Sequence, residues 1–171
     1  MAGIINAALR GVALVWTLII TALIGNVIAS NVNGSGSATR AINYAMFTAA
    51  WAWVAGLWGL FAAFIGAMAI PLVLIFLDAL AVLFTLVAAI LLAAKIGTPN
   101  CGHIEGYGRK WIAFGSHSNE KRCREIQAST VFLWFLWATF CVLLFFSFRE
   151  GRGGFGGFRR SSKPTMSQVR V

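Results

Sequence analysis

The stretch "CGHIEGYGRKWIAFGSHSNEKRC", residues 101–123, puts two cysteines and two histidines in one loop, so a metal site is the first chemistry to consider. Tetrahedral zinc sites draw their ligands in closely spaced Cys or His pairs. Here Cys101 stands beside His103 and His117 precedes Cys123, an irregular set. Cys101 and Cys123 read more simply as a disulfide, which persists on the oxidising side of a membrane. Closing a loop of this length would contribute roughly 3 kcal/mol on the chain-entropy account. Nothing in the loop resembles a nucleophile with its base, a phosphate cradle or paired catalytic carboxylates. The chain is therefore expected to be no enzyme, with no catalytic residue, no metal ligand and no cofactor.

The second candidate is Asp78, an acid inside a long apolar run. Ionisable groups at membrane depth are costly and are functional candidates by default. One reading is a polar switch or part of an ion route. The plainer one is a structural bond locking two helices, or a protonated carboxyl, because no second acid or base shares mid-depth. Seven residues inward from Pro71, Asp78 lies about 10 Å deep at 1.5 Å per residue. The same depth in the first apolar run holds Trp16 and Thr17, both able to donate a hydrogen bond, and in the last run it falls near Cys141. Arg10 starts at the interface with a side chain long enough to reach inward, and is the expected partner should Asp78 form a charge pair. Asn26 lies about 24 Å along the helix from Arg10, near the other face, and is too distant to join them.

These groups need membrane-spanning helices to position them. Of 171 residues, 59% are hydrophobic and only 11% charged, too apolar for a soluble domain of this length to bury. Four runs reach the roughly 20 residues a helix needs to cross the hydrocarbon core. They cover residues 9–29, 43–69, 71–94 and 127–148. Pro71 stops the second and opens the third, leaving a connection of one or two residues and a tight hairpin. A short Asn/Gly/Ser-rich loop follows the first run, and a long loop, 95–126, precedes the fourth. The first run is too long for the apolar core of a signal peptide. The fold class is thus an all-α integral membrane protein, a four-transmembrane-helix bundle over residues 1–148 with a basic flexible tail over 149–171.

Orientation is not decided by charge. Seven Lys and Arg residues fall on each side of the membrane, and acids contribute little to the positive-inside rule. The disulfide breaks the tie by placing the long loop outside and both termini in the cytoplasm. The sequon Asn33-Gly34-Ser35 falls on the same outer side, too close to the first helix to expect glycosylation.

Within the second run, Ala55, Gly59, Ala63 and Ala67 recur every fourth position. Small residues let membrane helices approach closely, either inside the bundle or between copies of the chain. Packing within the bundle is the commoner use, and homo-oligomer formation is the other. Six of the seven tryptophans, Trp16 among them, fall within spans and offer flat surfaces for sterol rings or ordered lipid chains, or simply fill space opposite glycine. In the long loop Tyr107, Trp111, Ile112 and Phe114 are expected to lie along the outer leaflet.

After the fourth run comes "GRGGFGGFRR". One Arg-Gly-Gly is a weak signal for RNA, so no nucleic-acid partner is expected. Basic clusters just inside a membrane helix bind anionic lipid, at about 1 kcal/mol per residue. Arg149, Arg152, Arg159, Arg160 and Lys163 would hold headgroups while Phe155 and Phe158 dip as shallow anchors. Ser161 and Ser162 follow a basic pair suited to a kinase, and phosphate there would weaken attachment.

The opening "NAALRGVALVWTLIITALIGNVIA", the "CGHIEGYG…RC" loop and the Gly/Phe/Arg tail, set in this four-span layout, resemble MARVEL-domain tetraspans. Among these they are most similar to the fungal non-classical export protein family. Claudins fit less well, since their long loop is the first. The resemblance implies a plasma-membrane protein of furrow-like microdomains, accompanying eisosome coat proteins and organising or sensing sphingolipid- and sterol-rich membrane. Bound sterol, sphingolipid or anionic phospholipid would be its ligands. The alternative is a small transporter or channel subunit that uses Asp78.

Overall fold

The structure is a computed structural model that describes residues 2–32, 36–65, 70–97, 99–103, 108 and 110–157. Its described elements are four helices: α1 (Ala2–Ala29), α2 (Gly36–Phe64), α3 (Pro71–Ile96) and α4 (Asn119–Gly157). All four are long and apolar enough to cross a membrane, over Ile4–Ala29, Gly36–Phe64, Pro71–Ile96 and Asn119–Arg149. α1 and α3 each pack on both α2 and α4, which closes a ring whose diagonals have no backbone approach. Successive helices run antiparallel. Arg10, early in α1, meets Ala55 late in α2, while Asp78, early in α3, meets Ser147 late in α4. At the opposite end Asn26 meets Glu125 and Asn31 meets Arg122. The start of α1 and the end of α4 therefore share one end of the bundle.

Local chemistry sets most helix limits, and several differ from the expectation. α1 begins at Ala2, not near Leu9, because "AGIINAA" carries no breaker ahead of the apolar run. α2 already starts at Gly36, so its polar first turns continue beyond the apolar stretch. It ends at Phe64, short of the expected limit at residue 69, and residues 66–69 lie outside the described residues. Ile70 holds φ −80° and ψ 108°, the extended geometry that a following proline imposes, and Pro71 opens α3. Gly97 closes α3 with φ +70° and donates its N–H to the Ala93 carbonyl; glycine tolerates that left-handed backbone without a Cβ clash. Ser118 caps α4, its hydroxyl accepting from the Lys121 N–H at 3.4 Å. α4 does not stop at Phe148 but runs through Gly157, so the first nine residues of the expected flexible tail are helical. Extending an existing helix needs no new nucleus, and this outweighs the weak propensity of the glycines.

The interior is unequal from side to side. α2 presents Ala38, Ala45, Ala49, Ala52 and Ala55, all essentially buried, while α1 and α4 fill the space opposite with Ile20, Ile24, Leu133, Leu136, Phe140 and Leu143. Large apolar side chains also cover the outside: Val15, Phe47, Phe61, Leu83, Phe135 and Val142 are all at least 43% exposed. In water such a surface would aggregate; in a bilayer it meets lipid chains.

The described residues 110–116 of the long loop fold inward over the bundle end, contrary to a strip lying on the leaflet. Ile112 and Ala113 are buried, and the Trp111 indole donates to the Ile96 carbonyl at 3.2 Å. The Val32 N–H donates to the Gly115 carbonyl at 2.8 Å, and Asn31 pairs with Ser116, so the two loops of this end are stitched together. The apolar loop residues find cover on the ends of α1 and α3, which removes them from the interface. Tyr107 and the sequon residues Asn33, Gly34 and Ser35 lie outside the described residues.

Candidate functional site

The most distinctive arrangement lies inside the membrane-spanning part. Arg10 Nη1 donates to Asp78 Oδ1 at 2.6 Å and Nη2 to Oδ2 at 2.7 Å, a bidentate pair of fork on carboxylate. Both side chains are cut off from the surroundings, at 1% and 0% exposure. The Ser147 hydroxyl donates to Asp78 Oδ2 at 2.8 Å, and Arg10 Nη1 also reaches the Ala55 carbonyl at 3.3 Å. One residue from each helix thus converges on a single charge pair. It spans the α1–α3 diagonal, where the two backbones do not approach.

Glycine makes the crossing possible. Gly59 sits directly against the Arg10 guanidinium, and a Cβ there would overlap its Cζ, Nε and Nη1. Gly56, one turn earlier, faces Leu14, whose Cδ2 would lie 2.7 Å from an added Cβ. The small residues of α2 therefore serve helix approach, though not along the expected ridge. Ala55 and Gly59 are buried, Ala63 is exposed, and Ala62 continues the buried face; Ala67 lies outside the described residues. The reason is geometric. Steps of four residues rotate by roughly 40° each around a helix of 3.6 residues per turn, so a strict every-fourth ridge leaves the interface.

Arg10, expected for a charge pair, is the partner of Asp78, whereas Trp16, Thr17 and Cys141, placed at its depth, are not, and the helix limits explain why. With α1 starting at Ala2, Arg10 is two turns inside the helix rather than at its mouth. Trp16 instead stacks on Phe132 at 5.6 Å, and the Thr17 hydroxyl donates to the Ala13 carbonyl at 2.7 Å. With α4 running past Phe148, the level of Asp78 shifts from Cys141 to Ser147. Ser147 was not singled out from the sequence, although a lone hydroxyl in "FFSF" is its only trace there.

A carboxylate so held has both oxygens engaged by a guanidinium. Burying two charges is costly, and here the bidentate geometry and the Ser147 bond offset that cost, although the Arg10 Nε is left without a partner. The pair locks four helices together. Neither member presents a free oxygen or nitrogen fork to a lumen.

At the opposite end, Cys101 and Cys123 are joined as a disulfide with Cα atoms 5.7 Å apart. His103 and His117 are exposed beside them, and among the described residues no group of three metal-ligating side chains forms. Asn26 donates to Glu125 Oε1 at 2.6 Å, on the far side of the bundle from Arg10. Toward the other end, Arg149 is exposed on α4, and Arg152 and Phe155 fall on its helical extension. Phe158, Arg159, Arg160, Ser161, Ser162 and Lys163 lie outside the described residues.

A four-helix bundle with a lipid-compatible exterior, an internal ion pair and a disulfide-closed loop defines an integral, multi-pass membrane protein. Residues 3–146 match MARVEL, described as a membrane-associating domain, and the chain belongs to that family. It is 37% identical over 114 residues to Non-classical export protein 2 of Saccharomyces cerevisiae. That alignment takes in 66% of this chain and 64% of the relative, so the chain spans somewhat under two thirds of the relative's length. No solved structure matches the chain.

Proposed function

We propose that the protein is a non-enzymatic tetraspan of the plasma membrane that organises a lipid microdomain of the eisosome-furrow type. Both termini are cytoplasmic in this reading, and the disulfide-closed loop faces outward. Helix faces select sphingolipid- or sterol-rich surroundings and neighbouring copies, while the basic tail binds anionic headgroups or a coat protein. The observation that carries it is the Arg10–Asp78–Ser147 network. Asp78, the acid at depth in the bundle, holds helices together, and the surface that remains for interaction is the lipid-facing exterior.

The test is reconstitution into giant vesicles that separate into sphingolipid/sterol-rich and fluid phases. The protein should cluster and enrich in one phase; an even distribution would count against an organiser. A second reading, a small transporter or channel subunit, draws on the printed name of the yeast relative as an export protein. Solute flux in the same vesicles, lost on Asp78→Asn, would support that reading instead.

A further inference from the structure

A second buried guanidinium lies at the opposite end of the bundle, and its surroundings differ from those of Arg10. Arg122, in the first turns of α4, is 1% exposed. Its Nη1 donates to Asn31 Oδ1 at 2.9 Å, yet its Nε is buried with no hydrogen-bond partner. Among the described residues no carboxylate forms an ion pair with it. The acids of the same helix are taken: Glu125 accepts from Asn26 at 2.6 Å and faces Lys121 at 3.7 Å, and Glu120 pairs with Arg124 at 2.5 Å. Glu125 is near enough to act on the Arg122 charge but does not ion-pair with it, and the buried Nε–H is left without an acceptor, which is unfavourable unless a ligand supplies one.

There is space for it. Arg122 lines a cavity of about 30 Å³ together with Ile28, Asn31, Thr39, Ile42 and Asn43, between α1, α2 and α4. A water-sized group needs roughly 10–15 Å³, so the cavity takes one or two oxygen atoms. Arg122 and Ile42 are its buried floor, while Asn31 and Asn43 are exposed at the rim, where the Asn43 amide can donate. Arg40 adds positive charge at the same end of the bundle, where Lys121 and Arg124 are already matched by Glu125 and Glu120. Guanidinium forks match planar or tetrahedral oxyanions, and this end of a membrane bundle lies at headgroup level, where the commonest oxyanion is phosphate.

We propose that the Arg122 cavity binds a phosphate group, with one or two of its oxygens on the floor and the remainder of the ligand beyond the rim. The group comes either from a phospholipid headgroup or from free phosphate. The site is separate from the Arg10–Asp78 network and does not depend on the microdomain reading.

The experiment uses the full-length protein in a neutral detergent, with melting followed by tryptophan fluorescence. One arm compares phosphatidic acid with diacylglycerol, lipids that differ only in the phosphate; the other compares inorganic phosphate with chloride at matched ionic strength. A ligand bound to the folded state alone raises the melting temperature by mass action. A rise with phosphatidic acid only assigns the headgroup, and a rise with inorganic phosphate assigns the bare group. No rise in either arm overturns the proposal. Asn43→Asp places a carboxylate at the exposed rim, where folding is not at stake, and should raise the half-saturating concentration at least tenfold. Arg122→Lys keeps the charge but removes Nε and the fork, with the same expected loss. Half-saturation unchanged in folded Asn43→Asp would also overturn the assignment.

Discussion

Gly59 and Arg10 occupy adjoining space: the guanidinium reaches Asp78 by passing where a side chain at position 59 would be. The missing Cβ on α2 and the salt bridge from α1 to α3 are therefore one feature. Gly59→Ala should displace the fork and lower stability by about 3 kcal/mol, the upper range for overpacking. Gly56→Ala meets only the flexible end of Leu14 and should cost clearly less. Thermal melting of both variants in detergent, side by side, checks the ordering. Equal effects would remove the special role given to Gly59.

Asp78→Asn tests the pair itself. The sequence left open whether this carboxyl only accepts a hydrogen bond, in which case the amide would be tolerated. With both oxygens held by Arg10, the substitution leaves a buried guanidinium without its counter-charge, a loss of about 3–5 kcal/mol. Replacing both partners, Arg10→Met with Asp78→Leu, should recover much of that loss. Ser147→Ala removes one hydrogen bond and should cost about 1 kcal/mol. A melting temperature unchanged in Asp78→Asn would mean the pair contributes no net stability.

Cys101→Ser should lower stability by roughly 3 kcal/mol through loss of loop closure. Thiol counting gives an independent check. The chain has three cysteines, and Cys141 is the free one, so the denatured oxidised protein should label once and the reduced protein three times. Three labels without reductant would exclude the bridge.

The basic end of the chain can be probed by proteolysis in proteoliposomes. Thermolysin should cut near Phe155 and Phe158 more slowly in anionic vesicles than in neutral ones. Changing Arg149, Arg152, Arg159, Arg160 and Lys163 to Gln removes about 1 kcal/mol of lipid attraction per residue and should bring the two rates together. Ser162→Glu should move them part of the way. Identical rates for the unaltered protein in both lipids would separate this segment from headgroup binding.

Much of the architecture was legible because hydrocarbon imposes a single-valued requirement: a spanning segment must be helical, long and apolar. The four segments and their order follow from that, as does the importance of Asp78. Helix limits were less legible, and the misassigned partners follow directly from them. Moving the start of α1 from Leu9 to Ala2 changes Arg10 from an interfacial residue to an internal one, and moving the end of α4 past Phe148 exchanges Cys141 for Ser147. The loop residues Trp111 and Ile112 were misread because an apolar loop segment can be covered by lipid or by protein, and sequence does not distinguish the two.

By itself, then, the sequence determined that this is a helical membrane protein with an acid at depth and a cysteine-bearing loop, because hydrophobic length and residue type are one-dimensional properties. The Ser147 bond to Asp78, the need for glycine at position 59 and the unpartnered Nε of Arg122 were decided only by tertiary structure. Each depends on which helix faces cross and at what height, and those heights are set by packing among four helices rather than by any one segment.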